Sequence, residues 1–241
     1  MRNLKILLVS CYVETLSFLR HKEAFFFGLI FPVFMFLLFG SIWGKGYKSY
    51  NYIPSLLTGV AGMTITSDSL FSIGPVIKVY RDNNILKMLR CLPFNALIHF
   101  IGIFISRIIA MLATLIILIL TSVMVFGYAV PLQRLLFLVS GVLAGTVMFS
   151  FMGLIISFFT TIETGRGLMS FIFFVMLFLS GAFYPVFMLP RILKSLSKVL
   201  PMTHLLNFIR GDTGYLYIIF LWIFAFAGLF IYIFNRKTVM R

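Results

Sequence analysis

The sequence predicts an all-α integral membrane protein with six transmembrane helices and an N-terminal helix lying in the membrane interface. Three observations carry that fold class. Of 241 residues, 61% are apolar and only 11% charged, less than half the charged share of an ordinary soluble domain. Apolar runs long enough to cross a bilayer, about 20 residues each, recur six times. The links between them are short, so the chain has no room for a large soluble catalytic domain.

Residues 1–22 precede any span but are patterned as a helix. Asn3, Ser10, Glu14 and Ser17 share one face, and Leu4, Leu7, Leu8, Cys11, Leu16 and Leu19 fill much of the rest. Such a helix lies in the interface instead of crossing it. The first span is expected over 24–43 and the second, weaker one over 53–75. Residues 78–93 form the most polar stretch of the chain, longer than a simple connection needs. The third span is expected over 100–126, the fourth over 135–159 and, after a polar link at 160–167, the fifth over 168–184. Pro185, Pro190 and Pro201 break residues 185–210 into short pieces. Between the last two prolines, Ile192, Leu193 and Leu196 oppose Arg191, Lys194 and Lys198 on a second interfacial helix. A sixth span over 215–234 closes the chain.

Orientation follows from where the 20 Lys and Arg residues sit. With the N-terminus inside, the inner segments hold twelve of them and the outer segments seven. Both termini are therefore expected in the cytoplasm, with Arg107 just inside span three snorkelling to the inner headgroups. This bias gives the net charge of +14 a membrane reading and removes most of the support for nucleic-acid binding. Cys11 and Cys91 fall on the cytoplasmic side, where thiols stay reduced. The first apolar run spans and has no small-residue cleavage site behind it, so no cleaved leader is expected.

Intramembrane enzymes and ion-driven carriers need ionisable groups within the bilayer. Of the six acids only Asp68 falls in an expected span. No paired carboxylates, HExxH or Ser/His/Asp grouping occurs, which argues against an enzyme, and no metal or cofactor is expected on this chain. A GxxxxGK[ST] phosphate loop is absent as well. Thr64, Asp68 and Ser72 recur at i, i+4 and i+8 as one polar stripe. It reads either as a packing seam or as the lining of a route for a polar or amphiphilic substrate. Gly141 and Gly145 form a GxxxG, read as intramolecular helix packing. Two functions stay open on these residues: a transport permease, and a membrane scaffold or receptor-like subunit.

Two segments carry a resemblance. Arg81-Asp82-Asn83-Asn84-Ile85-Leu86-Lys87-Met88-Leu89-Arg90-Cys91-Leu92-Pro93 resembles the loop after the second span of ABC-2-type export permeases. It keeps an acid at Asp82 but lacks the glycine and second acid usual in that loop. The segment holding Ser180, Gly181, Pro185, Pro190, Pro201 and Arg210 is similar to the late signature of the same family. The resemblance implies the permease subunit of an ATP-binding-cassette exporter in the cytoplasmic (inner) membrane. It implies a second permease copy, identical or homologous, and separate soluble nucleotide-binding ATPase subunits that supply ATP and Mg. Residues 78–93 become a cytoplasmic coupling helix, with Arg81, Asp82, Asn83, Leu86, Lys87, Leu89 and Arg90 meeting the ATPase. Residues 185–210 become short re-entrant outer helices. The cargo implied is a drug, lipid, lipid-linked glycan or peptide.

Overall fold

A computed structural model describes residues 2–20, 22–44, 52–83, 85, 88, 96–184 and 186–239. Helix α1 (Arg2–Arg20) is followed by α2 (Lys22–Phe25), a π-helical turn (Phe26–Ile30) and α3 (Phe31–Trp43). Then come α4 (Tyr52–Asp82), α5 (Ala96–Phe126), α6 (Leu132–Phe159) and α7 (Ile162–Leu179). Two short helices, α8 (Arg191–Ser197) and α9 (Pro201–Ile209), lead to α10 (Leu216–Val239). Among the described residues five helices are long and apolar enough to cross a membrane: α4, α5, α6, α7 and Thr213–Ile233. The apolar stretch Gly28–Trp43 is shorter.

Helix α4 is the axis of the bundle and packs against α3, α5, α6, α7 and α9. It does not stop at Pro75. Losing one backbone donor there leaves the helix intact, and it runs on to Asp82. An i,i+4 ion pair between Lys78 and Asp82, at 3.1 Å, supports its last turn. The seam with α6 is built on glycine. A carbon added at Gly74 would fall on the Gly153 carbonyl, and one added at Gly153 would lie 2.6 Å from the Leu70 carbonyl. These backbones touch because neither residue has a side chain. Gly141 packs on Ile209, and Gly145 on Ile65 and Leu205, so the GxxxG seats α4 and α9 within one chain.

Helix α7 begins at Ile162, earlier than the expected 168. The Thr161 hydroxyl accepts from the Thr164 N–H at 3.3 Å, and Glu163 sits in the first turn. Both favour a helix start, so the polar link shrinks to Thr160 and Thr161. The helix ends at Leu179, and Gly181, at φ +77°, turns the chain. The proline-rich segment that follows is split: α8 starts after Pro190, and Pro201 opens α9, most of which is buried. Helix α1 lies along α5, where Gly102 admits Ser10, and Thr15 Oγ1 lies 3.1 Å from Ser106 Oγ.

Candidate functional site: a charged pair in an aromatic cavity

A partly open cavity of about 630 Å³ lies between α1, α3, α4, α5 and α7. Helix α4 presents Met63, Ser67, Asp68, Phe71 and Ser72 to it, a stretch about 14 Å long at 1.5 Å per residue. Helix α3 adds Phe31, Met35 and Phe39, and α7 adds Phe173, Phe174 and Phe178. Phe18 of α1 and Gly28 of the π turn complete one wall. Gly28 packs closely on Phe18, since an added carbon would sit 3.0 Å from the ring. The turn's Gly28 carbonyl accepts from Thr114 Oγ1 at 3.1 Å, so α5 satisfies a backbone group on the cavity wall.

Two opposite charges meet in this aromatic setting. Arg107 Nη1 of α5 lies 3.7 Å from Asp68 Oδ1 of α4, and both side chains are less than one-fifth exposed. Arg107 therefore turns inward to Asp68 instead of snorkelling, and its guanidinium also lies 5.6 Å from the centre of the Phe18 ring. Pairing is what makes ionisable groups tolerable at such a position. The pairing is incomplete. Asp68 Oδ2, Arg107 Nε and the Ser72 hydroxyl are buried without a hydrogen-bond partner, an arrangement that costs free energy in a dry site.

The stripe read from the sequence is divided by the structure. Asp68 and Ser72 face the cavity. Thr64 donates to the Val60 carbonyl at 2.9 Å and faces α5 beside Met111 and Leu115. Sequence reasoning assigned Arg107 to the inner headgroups and missed its pairing with Asp68. Arg107 sits 39 positions from Asp68, and its only signal was a lone cation inside an otherwise apolar run.

A second polar assembly joins α1, α4 and α5. Tyr80 Oη lies 3.3 Å from His99 Nε2, and His99 Nδ1 lies 3.1 Å from Ser10 Oγ. The rings of Tyr80 and His99 are stacked with centres 6.0 Å apart. This chain of contacts sits one turn before the polar segment that follows α4. Arg81 lies 4.6 Å over the Phe158 ring, Asp82 pairs with Lys78, and the Asn83 N–H donates to the Val79 carbonyl at 3.0 Å. Leu86, Lys87, Leu89, Arg90 and Pro93 of the expected coupling helix lie outside the described residues, as does Pro185.

Two of the late signature residues, Gly181 and Arg210, come together at the opposite end of α4. Arg210, after α9, donates from Nη2 to the Gly181 carbonyl at 2.7 Å and from Nε to Thr58 Oγ1 at 3.4 Å. One guanidinium thus ties the turn after α7 to α4. Gly59 of α4 lies against the Ala182 carbonyl, where an added carbon would not fit. Ser180 is buried, and Pro190 and Pro201 mark the starts of α8 and α9.

A helical bundle with membrane-length spans and a charged pair facing an aromatic cavity defines a polytopic membrane protein. Among the described residues no three His, Cys, Asp or Glu side chains gather around a common metal position. Residues 7–212, most of the chain, match the family model for the ABC-2 type transporter. The chain belongs to that family and is a membrane permease component of an ABC-type transport system. No curated protein sequence matches it.

Proposed function

We propose that this chain is one half of the membrane channel of an ATP-driven exporter in the cytoplasmic membrane, with both termini inside. Two permease copies associate with two soluble ATPase subunits, and an amphiphilic or hydrophobic cargo passes between them. Gly28–Trp43, extended by the π turn and α2, serves as a sixth crossing, and α9 as a re-entrant cap at the outer end. The family match carries the reading. The joint between α1 and the last turns of α4 supports it: Ser10, His99 and Tyr80 connect three helices at the start of the polar segment 78–93. A push on that segment would pass into α4 and so to the cavity wall, where Asp68 and Ser72 stand. ATP biases the two permease arrangements only through the partner's differential affinity for them.

The test is capture of the full chain from its membrane in mild detergent, with assay of the eluate for ATP hydrolysis. A co-purifying ATPase, lost when Leu86→Asp and Leu89→Asp are combined, is the expected result. An eluate without ATPase would transfer the chain to the scaffold class.

A further inference from the structure

The cavity between α3, α4, α5 and α7 has features that a route for cargo in general does not need. Its volume of about 630 Å³ falls within the range of small-molecule sites. Its walls are dominated by phenylalanine, which suits an apolar body. The ionisable groups lining it, among the described residues, are Asp68 and Arg107. They sit side by side, 3.7 Å apart, with opposite charge. A charged headgroup placed beside such a pair is attracted by one member and repelled by the other at nearly the same distance. The two terms largely cancel, and the cost of stripping water from the charge remains. An uncharged group that both donates and accepts escapes this penalty. It can donate to Asp68 and accept from Arg107, whose Oδ2 and Nε, like the Ser72 hydroxyl, are buried without a hydrogen-bond partner and come within reach when the two side chains rotate toward the cavity. The π turn that contains Gly28 is a second, independent mark, because such turns are frequent at functional sites.

We infer that this cavity binds a net-neutral amphiphile, its apolar body among the phenylalanines and its uncharged hydroxyl- or amide-bearing head bridging Asp68 and Arg107. Its place in export rests on the transport reading above, whereas the binding event does not. The site then selects against cargo of either charge, and its selectivity resides in the balance of two side chains instead of in the shape of the pocket.

The experiment uses the full chain in nanodiscs of zwitterionic lipid and three dansyl probes that share one undecyl skeleton. Their terminal groups are hydroxyl, carboxylate and trimethylammonium, and empty discs supply the background. The hydroxyl probe is expected to bind saturably with a blue shift, at least tenfold tighter than either charged probe. Asp68→Asn leaves a lone cation, so the carboxylate probe becomes the tightest of the three. Arg107→Gln leaves a carboxyl without its countercharge, so the trimethylammonium probe takes that place at alkaline pH, where the carboxyl ionises. The double variant restores preference for the hydroxyl probe. Should the single variants fail to fold, Phe174→Trp with the pair intact supplies the test, with energy transfer to the hydroxyl probe above the Trp43 and Trp222 background expected. Absence of saturable binding, preference of the unaltered chain for a charged probe, or selectivity unmoved by the substitutions would overturn the inference. ATPase capture is scored on the same preparations. A chain that captures the ATPase but binds no hydroxyl probe overturns this inference alone. A chain that binds the probe but captures no ATPase overturns the transport reading alone.

Discussion

Helix α4 has two faces built on opposite principles. Toward α6 it presents backbone: Gly74 meets the Gly153 carbonyl and Gly153 meets the Leu70 carbonyl. Toward α3 and α7 it presents side chains across a cavity, with Phe71 touching Phe173 edge-on at 6.1 Å between ring centres. Backbone contacts of the first kind fit in one register, because there is no torsion left to adjust. Contacts of the second kind can be remade by rotamer changes. The α4–α6 seam is therefore the less adjustable of the two, and rotamer freedom lies on the cavity face.

The largest expected effect breaks the rigid face. Gly74→Val drives a branched side chain into the α6 backbone and should cost about 3 kcal/mol or more, read as loss of the monodisperse fraction in detergent. Next comes the cavity face. Arg107→Gln removes the charge that compensates Asp68 and should lower stability by about 1–3 kcal/mol, read as a fall in the thermal midpoint. The sequence stripe gives a companion measurement: Asp68→Asn should impair transport in vesicles while the ATPase complex still assembles. Thr64→Val, on the α5 side, should leave transport near its starting rate.

His99→Ala sharpens the comparison at the α1 joint. It removes the hydrogen-bond link from Tyr80 to Ser10, a loss of about 1 kcal/mol. In a Cys91→Ser background, maleimide labelling of Cys11 should accelerate about fivefold. The smallest effect is expected where α10 is open. Gly228 has no heavy atom within 4 Å of an added carbon, so Gly228→Ala should stabilise by about 0.5 kcal/mol, seen as a small rise in the same thermal midpoint.

The membrane-length helices were legible because their signal is additive: a run of some 20 apolar residues outweighs any single exception. Their ends were less legible because one hydrogen bond settles them. Glu163, Thr164 and Arg166 look like a polar link, but the Thr161 cap makes them the first turns of α7. Pro75 looks like a stop, yet α4 tolerates it within a packed bundle. In the cavity, Asp68 was visible as an acid in an apolar span. Its partner was not, because a charge pair between helices is a property of their packing and carries no sequence period. The Tyr80–His99–Ser10 chain escaped notice for the same reason. Arg210 was visible only through the family resemblance, and its contacts with Gly181 and Thr58 required the fold.

The two-residue connection at Thr160 and Thr161 has a mechanical consequence. Helix α7, with 18 residues, is about 27 Å long, and its first turn is pinned to the end of α6, which belongs to the rigid seam. Any swing of α7 is then the motion of a lever about a fixed fulcrum. A tilt of about 10° displaces its far tip by roughly 5 Å for a lever of that length, while residues beside the fulcrum barely shift. The tip is where Gly181 is held by Arg210, the position of greatest leverage on the helix. A force of given size applied there gains more torque than one applied anywhere else on the helix.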